Sequence, residues 1–255
     1  MKTDDFLNRI EKKNISLLGI PICVCDNEDA VDMLDEAVRL PSSYRAMIIN
    51  VFCMNLSFED PIYKQTVRDY HLRFSDGVGM YIAGRLLKNI NIPNICGTDF
   101  GMLFFKRCAV KGYRIFLLGA KEGIAQKAAE NLGRYLPGID IVGSHHGYFG
   151  DEENDKVIQK INETGADVLI VCMGKPKEVN WIEEYHCKLN VRLVMPLGGF
   201  LDTWSGYKKR APLWIRKIRS EWFYRMFQRP IPLWKRHLGG KFLFLIRTLK
   251  WKLTD

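Results

Sequence analysis

From residue 46 onward the hydrophobic positions fall into two alternating patterns: short unbroken apolar runs of strand length, and longer runs in which apolar residues recur every three to four positions. Such alternation predicts β-α units around a parallel sheet, because parallel strands are covered on both faces and carry no polar side. Four strands read directly, at 46–50, 114–118, 167–172 and 191–195, each followed by Gly, Pro or a polar turn. The stretch Glu122–Leu136 predicts an amphipathic helix. Ile124, Ala128, Leu132 and Leu136 share its apolar face, Gly119 stands where a strand hands over, and Pro137-Gly138 ends it.

Residues 1–206 therefore predict an α/β, Rossmann-like parallel-sheet sandwich, with strand ends at Gly119, Gly174 and Gly198-Gly199 where ligands usually sit. Residues 207–255 predict a second unit, a mainly helical appendage. Composition agrees with a compact body: 47% of the 255 residues are hydrophobic and 26% charged, with neither repeats nor low-complexity tracts, which excludes a solenoid and a disordered chain. The seven cysteines (23, 25, 53, 96, 108, 172 and 187) form no C-x-x-C pair and read as mostly buried, reduced thiols. The opening MKTDDFLNRIEKKN offers no apolar stretch for a signal peptide, so the expected location is the cytoplasm.

The charge of +9 is unevenly placed. Residues 207–255 hold 14 Lys and Arg against the two acids Glu221 and Asp255, leaving residues 1–206 slightly acidic. A basic tail suits an anionic membrane face or nucleic acid. Here Trp, Tyr and Phe interleave with the basic residues, and Phe242, Leu245, Ile246 and Leu249 share one helical face, while Lys241, Arg247, Lys250 and Lys252 reach around it toward headgroups. This pattern predicts a helix lying on a membrane. Its apolar run falls well short of the roughly 20 residues needed to cross one. A helical pair packed on the core with a solvated basic face is the plainer alternative, and RNA binding a third; the apolar face at 242–249 argues against nucleic acid as the partner.

Several strand-end segments carry candidate chemistry. Asp76, in Phe-Ser-Asp-Gly-Val-Gly, is placed either to act as general base on an acceptor hydroxyl, given burial that raises its basicity, or to cap the following helix. Leu117-Leu-Gly119-Ala-Lys121 sets amides and a lysine at a strand-to-helix turn suited to phosphate, although it matches neither the dinucleotide nor the P-loop pattern. His145-His146 tempts a metal reading, but adjacent strand residues point to opposite faces and no nearby acid or cysteine completes a set, so no metal is expected. Tyr148 offers a stacking surface for a nucleobase. Gly174-Lys-Pro-Lys-Glu178 offers amides and a carboxylate, and Gly198-Gly-Phe-Leu-Asp202 an acid for ribose hydroxyls or an imide N–H; each is also readable as an ordinary turn.

In this order, Asp76-Gly-Val-Gly, Gly97-Thr-Asp99, Leu117-Leu-Gly-Ala-Lys, Gly147-Tyr-Phe, Gly174-Lys-Pro-Lys, Gly198-Gly-Phe-Leu-Asp and Lys209-Arg-Ala-Pro-Leu-Trp leading into Glu221-Trp-Phe-Tyr-Arg resemble the WecG/TagA/CpsF family of bacterial glycosyltransferases, over about residues 15–240. The resemblance implies an inverting, metal-independent transferase with no cofactor. It would move N-acetylmannosamine or a related sugar from UDP to an undecaprenyl-diphosphate-linked sugar, for teichoic acid, common antigen or capsule, at the inner face of the cell membrane. It implies Asp76 as catalytic base, with Asn50, Gly119, Tyr148, Gly174, Glu178, Gly198 and Asp202 on the donor side, where Tyr148 stacks on uracil and Asp202 contacts the nucleoside. Arg210, Arg225, Arg229 and Arg236 of the tail would meet the diphosphate, and a homo-oligomer is suggested. Three positions depart from the family pattern: Ile48 stands where Thr is usual, Asn94 where Arg is common, and Glu178-Val179 where Gln-Glu is expected. They point to an altered donor sugar. The alternative is a catalytically weakened protein that binds a nucleotide sugar or a lipid surface.

Overall fold

The computed structural model describes residues 2–208, 212 and 239–254. The chain begins with α1 (Lys2–Lys13), a hairpin of β1 (Asn14–Leu17) and β2 (Ile20–Cys23), and α2 (Asn27–Arg39). Then follow β3 (Tyr44–Ile49), α3 (Val51–Glu59), α4 (Pro61–Asp69), β4 (Leu72–Ser75), α5 (Val78–Lys88) and α6 (Gly97–Lys111). The next elements are β5 (Arg114–Gly119), α7 (Ile124–Tyr135), β6 (Asp140–His145), α8 (Asn154–Glu163), β7 (Val168–Cys172), α9 (Lys177–Tyr185), β8 (Leu193–Pro196) and α10 (Phe200–Trp204). A last helix, α11, spans Gly240–Thr254.

Six strands form one sheet in the order β4-β3-β8-β7-β5-β6, with all neighbours parallel. The unbroken apolar runs make physical sense on this sheet, since successive side chains enter different cores. On β3, β5 and β7, residues Ala46, Ile48, Ile115, Leu117, Val168 and Ile170 join α1, α2, α6 and α7 on one face. Their neighbours Met47, Ile49, Phe116, Leu118, Leu169 and Val171 join α3, α4, α5, α8 and α9 on the other. The α/β parallel-sheet expectation is thus met. The helix expected from Glu122 starts at Ile124, because Gly123 takes a left-handed φ of +74° that no helix interior adopts. The hairpin β1–β2, with Leu18 and Gly19 both at positive φ in its two-residue turn, lies outside the region where the sequence pattern was informative.

Helix α11 packs on α3 and α5. Phe244 and Thr248 are 3% and 1% exposed, and burial of the Phe ring alone is worth about 2–3 kcal/mol. Asn55 donates its side-chain amide to the Gly240 carbonyl at 2.6 Å. Arg247 does not reach outward as expected. It donates to the carbonyl and side-chain oxygens of Asn55 at 3.1 and 3.0 Å, pairs with Glu59 at 3.2 Å and lies over the Phe58 ring, because α3 presents all these acceptors along the packed face. Phe242, Leu245, Leu249 and Leu253 stay exposed on the opposite side. Among the described residues no helix is long and apolar enough to cross a membrane.

Candidate active site

The ladder between β3 and β8 holds only two pairs, Tyr44↔Leu193 and Arg45↔Val194, whereas β3 stays paired with β4 as far as Ile49↔Ser75. Beyond Arg45 the two strands separate. The chain leaves β3 toward β4 on one flank and enters β8 beside β7 on the other, so this split is a switch point, and it opens toward the carboxyl ends of the strands. Asn50 and Asp76 follow directly on β3 and β4 at that edge, and Gly174 and Gly198 come two residues after β7 and β8. Helices α3, α5, α7 and α9 start from the same edge, so their N-terminal dipoles favour anionic groups on that side of the sheet.

Asp76 sits half-buried in the turn between β4 and α5, its backbone N–H donating to the Ile49 carbonyl at 2.8 Å. It is not the helix cap. Gly77, at φ +96°, occupies that position and α5 has no side-chain cap. The neighbouring loop holds this turn in place: Asn94 accepts from the Gly77 N–H, Ser75 donates its hydroxyl to the Pro93 carbonyl at 2.8 Å, and the Ile95 N–H reaches the Ser75 carbonyl. Asn50 caps α3, its side-chain oxygen accepting from the amides of Phe52 and Cys53 at 3.1 and 3.2 Å.

The ends of β5, β6 and β7 are tied together by backbone, with the Lys177 ammonium adding a bond to the Gly147 carbonyl at 3.0 Å. The Ala120 N–H donates to the Cys172 carbonyl and the Gly147 N–H to the Ala120 carbonyl, both at 2.9 Å. Gly119 is required there: at φ +139° its added Cβ would lie 2.3 Å from the Cys172 oxygen. Ala120 holds a positive φ of 57°, a strained state for a residue with a Cβ and one that gathers at functional sites. Tyr148, 70% exposed just past Gly147, presents a free ring face. The histidine pair differs from expectation. β6 ends at His145, so His146 already lies in the turn, and the two rings lie tilted at 33° with centroids 4.4 Å apart instead of pointing apart. Among the described residues no group of three or more His, Cys, Asp or Glu side chains converges.

Glu178 is completely buried, and one of its oxygens accepts from the amides of Gly174 at 2.9 Å and Gly198 at 3.2 Å. It therefore clamps the β7 loop to the β8 loop. The other oxygen, Oε1, is buried with no hydrogen-bond partner. Burial pushes this carboxyl above its usual range, opposed by Lys175 and by the amides it accepts from. Asp202, on α10, pairs with Lys208, whose backbone N–H also donates to the Asp202 carbonyl at 2.8 Å. Arg210, Arg225, Arg229 and Arg236 lie outside the described residues.

Lys175 was not singled out by the sequence, because a lysine between a strand end and a proline reads as solvated. It turns inward, and its ammonium donates at 2.5 Å to the Ile48 carbonyl, a group that β8 leaves unpaired where the strands separate. Burial works against the charge, yet the Cys53 sulfur, Glu178 and Asp76 outweigh it and hold this lysine above its ordinary range.

A model of the glycosyl transferase WecG/TagA/CpsF family matches residues 15–255. The chain belongs to that family. Two Staphylococcus aureus proteins, from strains MRSA252 and NCTC 8325 / PS 47, are each 28% identical to it over 222 residues, 85% of this chain and 85% of the relative; each is named N-acetylglucosaminyldiphosphoundecaprenol N-acetyl-beta-D-mannosaminyltransferase. The chain is accordingly a glycosyltransferase. Of the three positions that depart from the WecG/TagA/CpsF pattern, Ile48 is 4% exposed with its methyl end beside Gly97 at the start of α6, Asn94 braces the Asp76 turn, and Glu178 clamps two glycine loops.

Proposed function

We propose that this glycosyltransferase is an inverting enzyme that moves a sugar from a UDP donor to an undecaprenyl-diphosphate-linked acceptor at the inner face of the cell membrane, in surface-polysaccharide or teichoic acid synthesis. The observation that carries this reading is the split between β3 and β8, with Asp76 and the loops of Gly174 and Gly198 at its mouth and four helix N-termini on the same side of the sheet. Asp76 takes the proton of the acceptor hydroxyl as that oxygen attacks the anomeric carbon from the face opposite UDP. The bond from that carbon to the β-phosphate oxygen breaks, and UDP departs carrying the electron pair. Loop amides and helix dipoles stabilise the departing charge, joined by Arg210, Arg225, Arg229 and Arg236 of the basic tail. Tyr148 stacks on the uracil and Asp202 meets the nucleoside. The exposed stripe of Phe242, Leu245, Leu249 and Leu253 lies in the lipid interface, with Lys250 and Lys252 at anionic headgroups.

The resemblance of the relatives' names to this reading supports an N-acetylglucosaminyl-diphosphoundecaprenol acceptor, and the departures at Ile48, Asn94 and Glu178 support a donor other than N-acetylmannosamine. The test places undecaprenyl-diphosphate-GlcNAc in anionic phospholipid vesicles and measures UDP release from a panel of UDP-sugars, with and without acceptor. Acceptor-dependent release with one donor is expected. UDP binding with no release across the panel would instead favour a protein that binds nucleotide sugars without transferring them.

A further inference from the structure

We infer that Asn94 is a positioning residue for sugar transfer: its side-chain oxygen fixes the peptide that follows Asp76 and so sets the direction from which that carboxylate meets the acceptor. This role rests on the reading of Asp76 as the base. Two observations carry it. First, the peptide groups on both sides of Asp76 are tied. The Asp76 N–H donates to the Ile49 carbonyl of β3 at 2.8 Å, and the next N–H along the chain, that of Gly77, donates to the Asn94 side-chain oxygen. The φ and ψ of Asp76, its two soft backbone torsions, are thereby both restrained. Second, Asn94 is itself held on both sides by the residue before the base. Ser75, 2% exposed, donates its hydroxyl to the Pro93 carbonyl at 2.8 Å, and its own carbonyl accepts from the Ile95 N–H at 2.7 Å. Residues 75–77 and 93–95 thus close into one set of hydrogen bonds with the base inside it.

Gly77 is the link that needs this support. At φ +96° it has no side chain to pack, and open space lies where a Cβ would stand. As the N-cap residue of α5, its N–H would ordinarily be met by a Glu or Gln three residues on that reaches back, but that position is Met80, which has no oxygen to offer. Asn94 supplies the missing acceptor from another loop. The arginine common at this position in the family carries donors only and could not make the bond, so this way of fixing the turn belongs to the present chain. Without the Asn94 oxygen, the Gly77 amide is free to turn toward water, and Asp76 turns with it. A displacement of about 1 Å in a reacting group costs on the order of 100-fold in rate.

Asn94→Ala removes the acceptor, and Asn94→Asp keeps an oxygen at the same place. In single-turnover UDP release with undecaprenyl-diphosphate-GlcNAc in anionic phospholipid vesicles, Asn94→Ala should react about 10- to 100-fold more slowly than the wild type, with UDP affinity by isothermal titration unchanged within about two-fold. It should melt within about 4 °C of the wild type, since only one half-buried hydrogen bond is lost. Asn94→Asp, compared at a pH where its rate has levelled off, should recover to within about five-fold of the wild type. In an Asp76→Asn background, Asn94→Ala should slow the residual reaction no further, because its effect passes through the base. A wild-type rate in Asn94→Ala overturns the inference. So does an Asn94→Asp protein as slow as Asn94→Ala, a loss of UDP affinity that matches the loss of rate, or a further loss in the Asp76→Asn background. Full turnover in Asp76→Asn alone removes the base itself, whereas lost turnover there with a wild-type rate in Asn94→Ala removes only the role of Asn94.

Discussion

The two ends of the sheet both bury charge, and they use it differently. At the amino ends of the strands, Arg73 is 7% exposed and donates to the carbonyls of Pro21 and Arg68 at 2.8 and 2.7 Å. Arg45, 8% exposed, donates to the Asp69 carbonyl, pairs with Glu183 and lies over the Tyr70 ring. Arg73 is held by backbone acceptors and Arg45 by a backbone acceptor, Glu183 and an aromatic ring, and the two join β2, β3, β4 and α4. At the carboxyl ends, Lys175 interacts with both Glu178 and Asp76 beside a gap, and Glu178 keeps one oxygen unsatisfied, as Arg45 does its Nε at the other end. Buried cations that tie neighbouring elements together stabilise a fold, while charge gathered beside a strand-end gap can respond to a ligand.

The sharpest separation should come from Asp76→Asn. Turnover is expected to fall at least about 100-fold with UDP affinity nearly intact, since general-base catalysis typically contributes that much. Isothermal titration and single-turnover assays would read both quantities. A large loss of thermal stability in this variant would break the contrast, because it would make Asp76 a structural charge like those at the other end.

Arg73→Met tests the opposite end. It keeps most of the buried stem but orphans two carbonyls, and should remove about 2–3 kcal/mol of stability in urea unfolding while leaving kcat/KM of the folded protein unchanged. A smaller effect is expected from pH. His71 accepts from the Arg45 N–H at 3.0 Å, and burial, followed by the positive charges of Arg45 and Arg73, lowers it to about 4. The folded state therefore binds its proton more weakly than the unfolded state, whose value is 6.5. Stability from this group is complete above that value and is lost as pH falls from 6.5 toward 4. Discounted for partial exposure, the loss is roughly 1–2 kcal/mol. Denaturant titrations at either end of that window should show the slope, and His71→Asn should flatten it.

Much of the sheet was legible because a strand buried on both faces must be apolar at every position, as in Val168–Cys172. The strand-end glycines were legible for a similarly local reason: at Gly119 the backbone of β7 leaves no room for a Cβ. Asp76 stood out through its place between an apolar run and glycines, and its two readings parted only when Gly77 proved to be the cap. The first 45 residues were harder, since β1 and β2 are four residues each and pair only with one another in a sheet of their own. The inward turn of Arg247 was hidden as well. Its acceptors, Asn55 and Glu59, lie far off in the chain, so helical spacing predicts an outward lysine-like role that packing on α3 overrides.

By itself the amino-acid sequence determined the strands, the helix faces, the glycine turns, the segregation of basic charge into the tail and the motif series of a glycosyltransferase family, since each of these is a property of neighbouring residues. Strand order was decided only in three dimensions. It sets Tyr44 beside Leu193 and then lets the strands part, and that parting determines which carbonyl lacks a partner, why Lys175 turns inward to meet it, and where Glu178 can clamp two loops at once. An unpaired backbone group exists only relative to the strand that is missing beside it, and no local pattern in the chain records that absence.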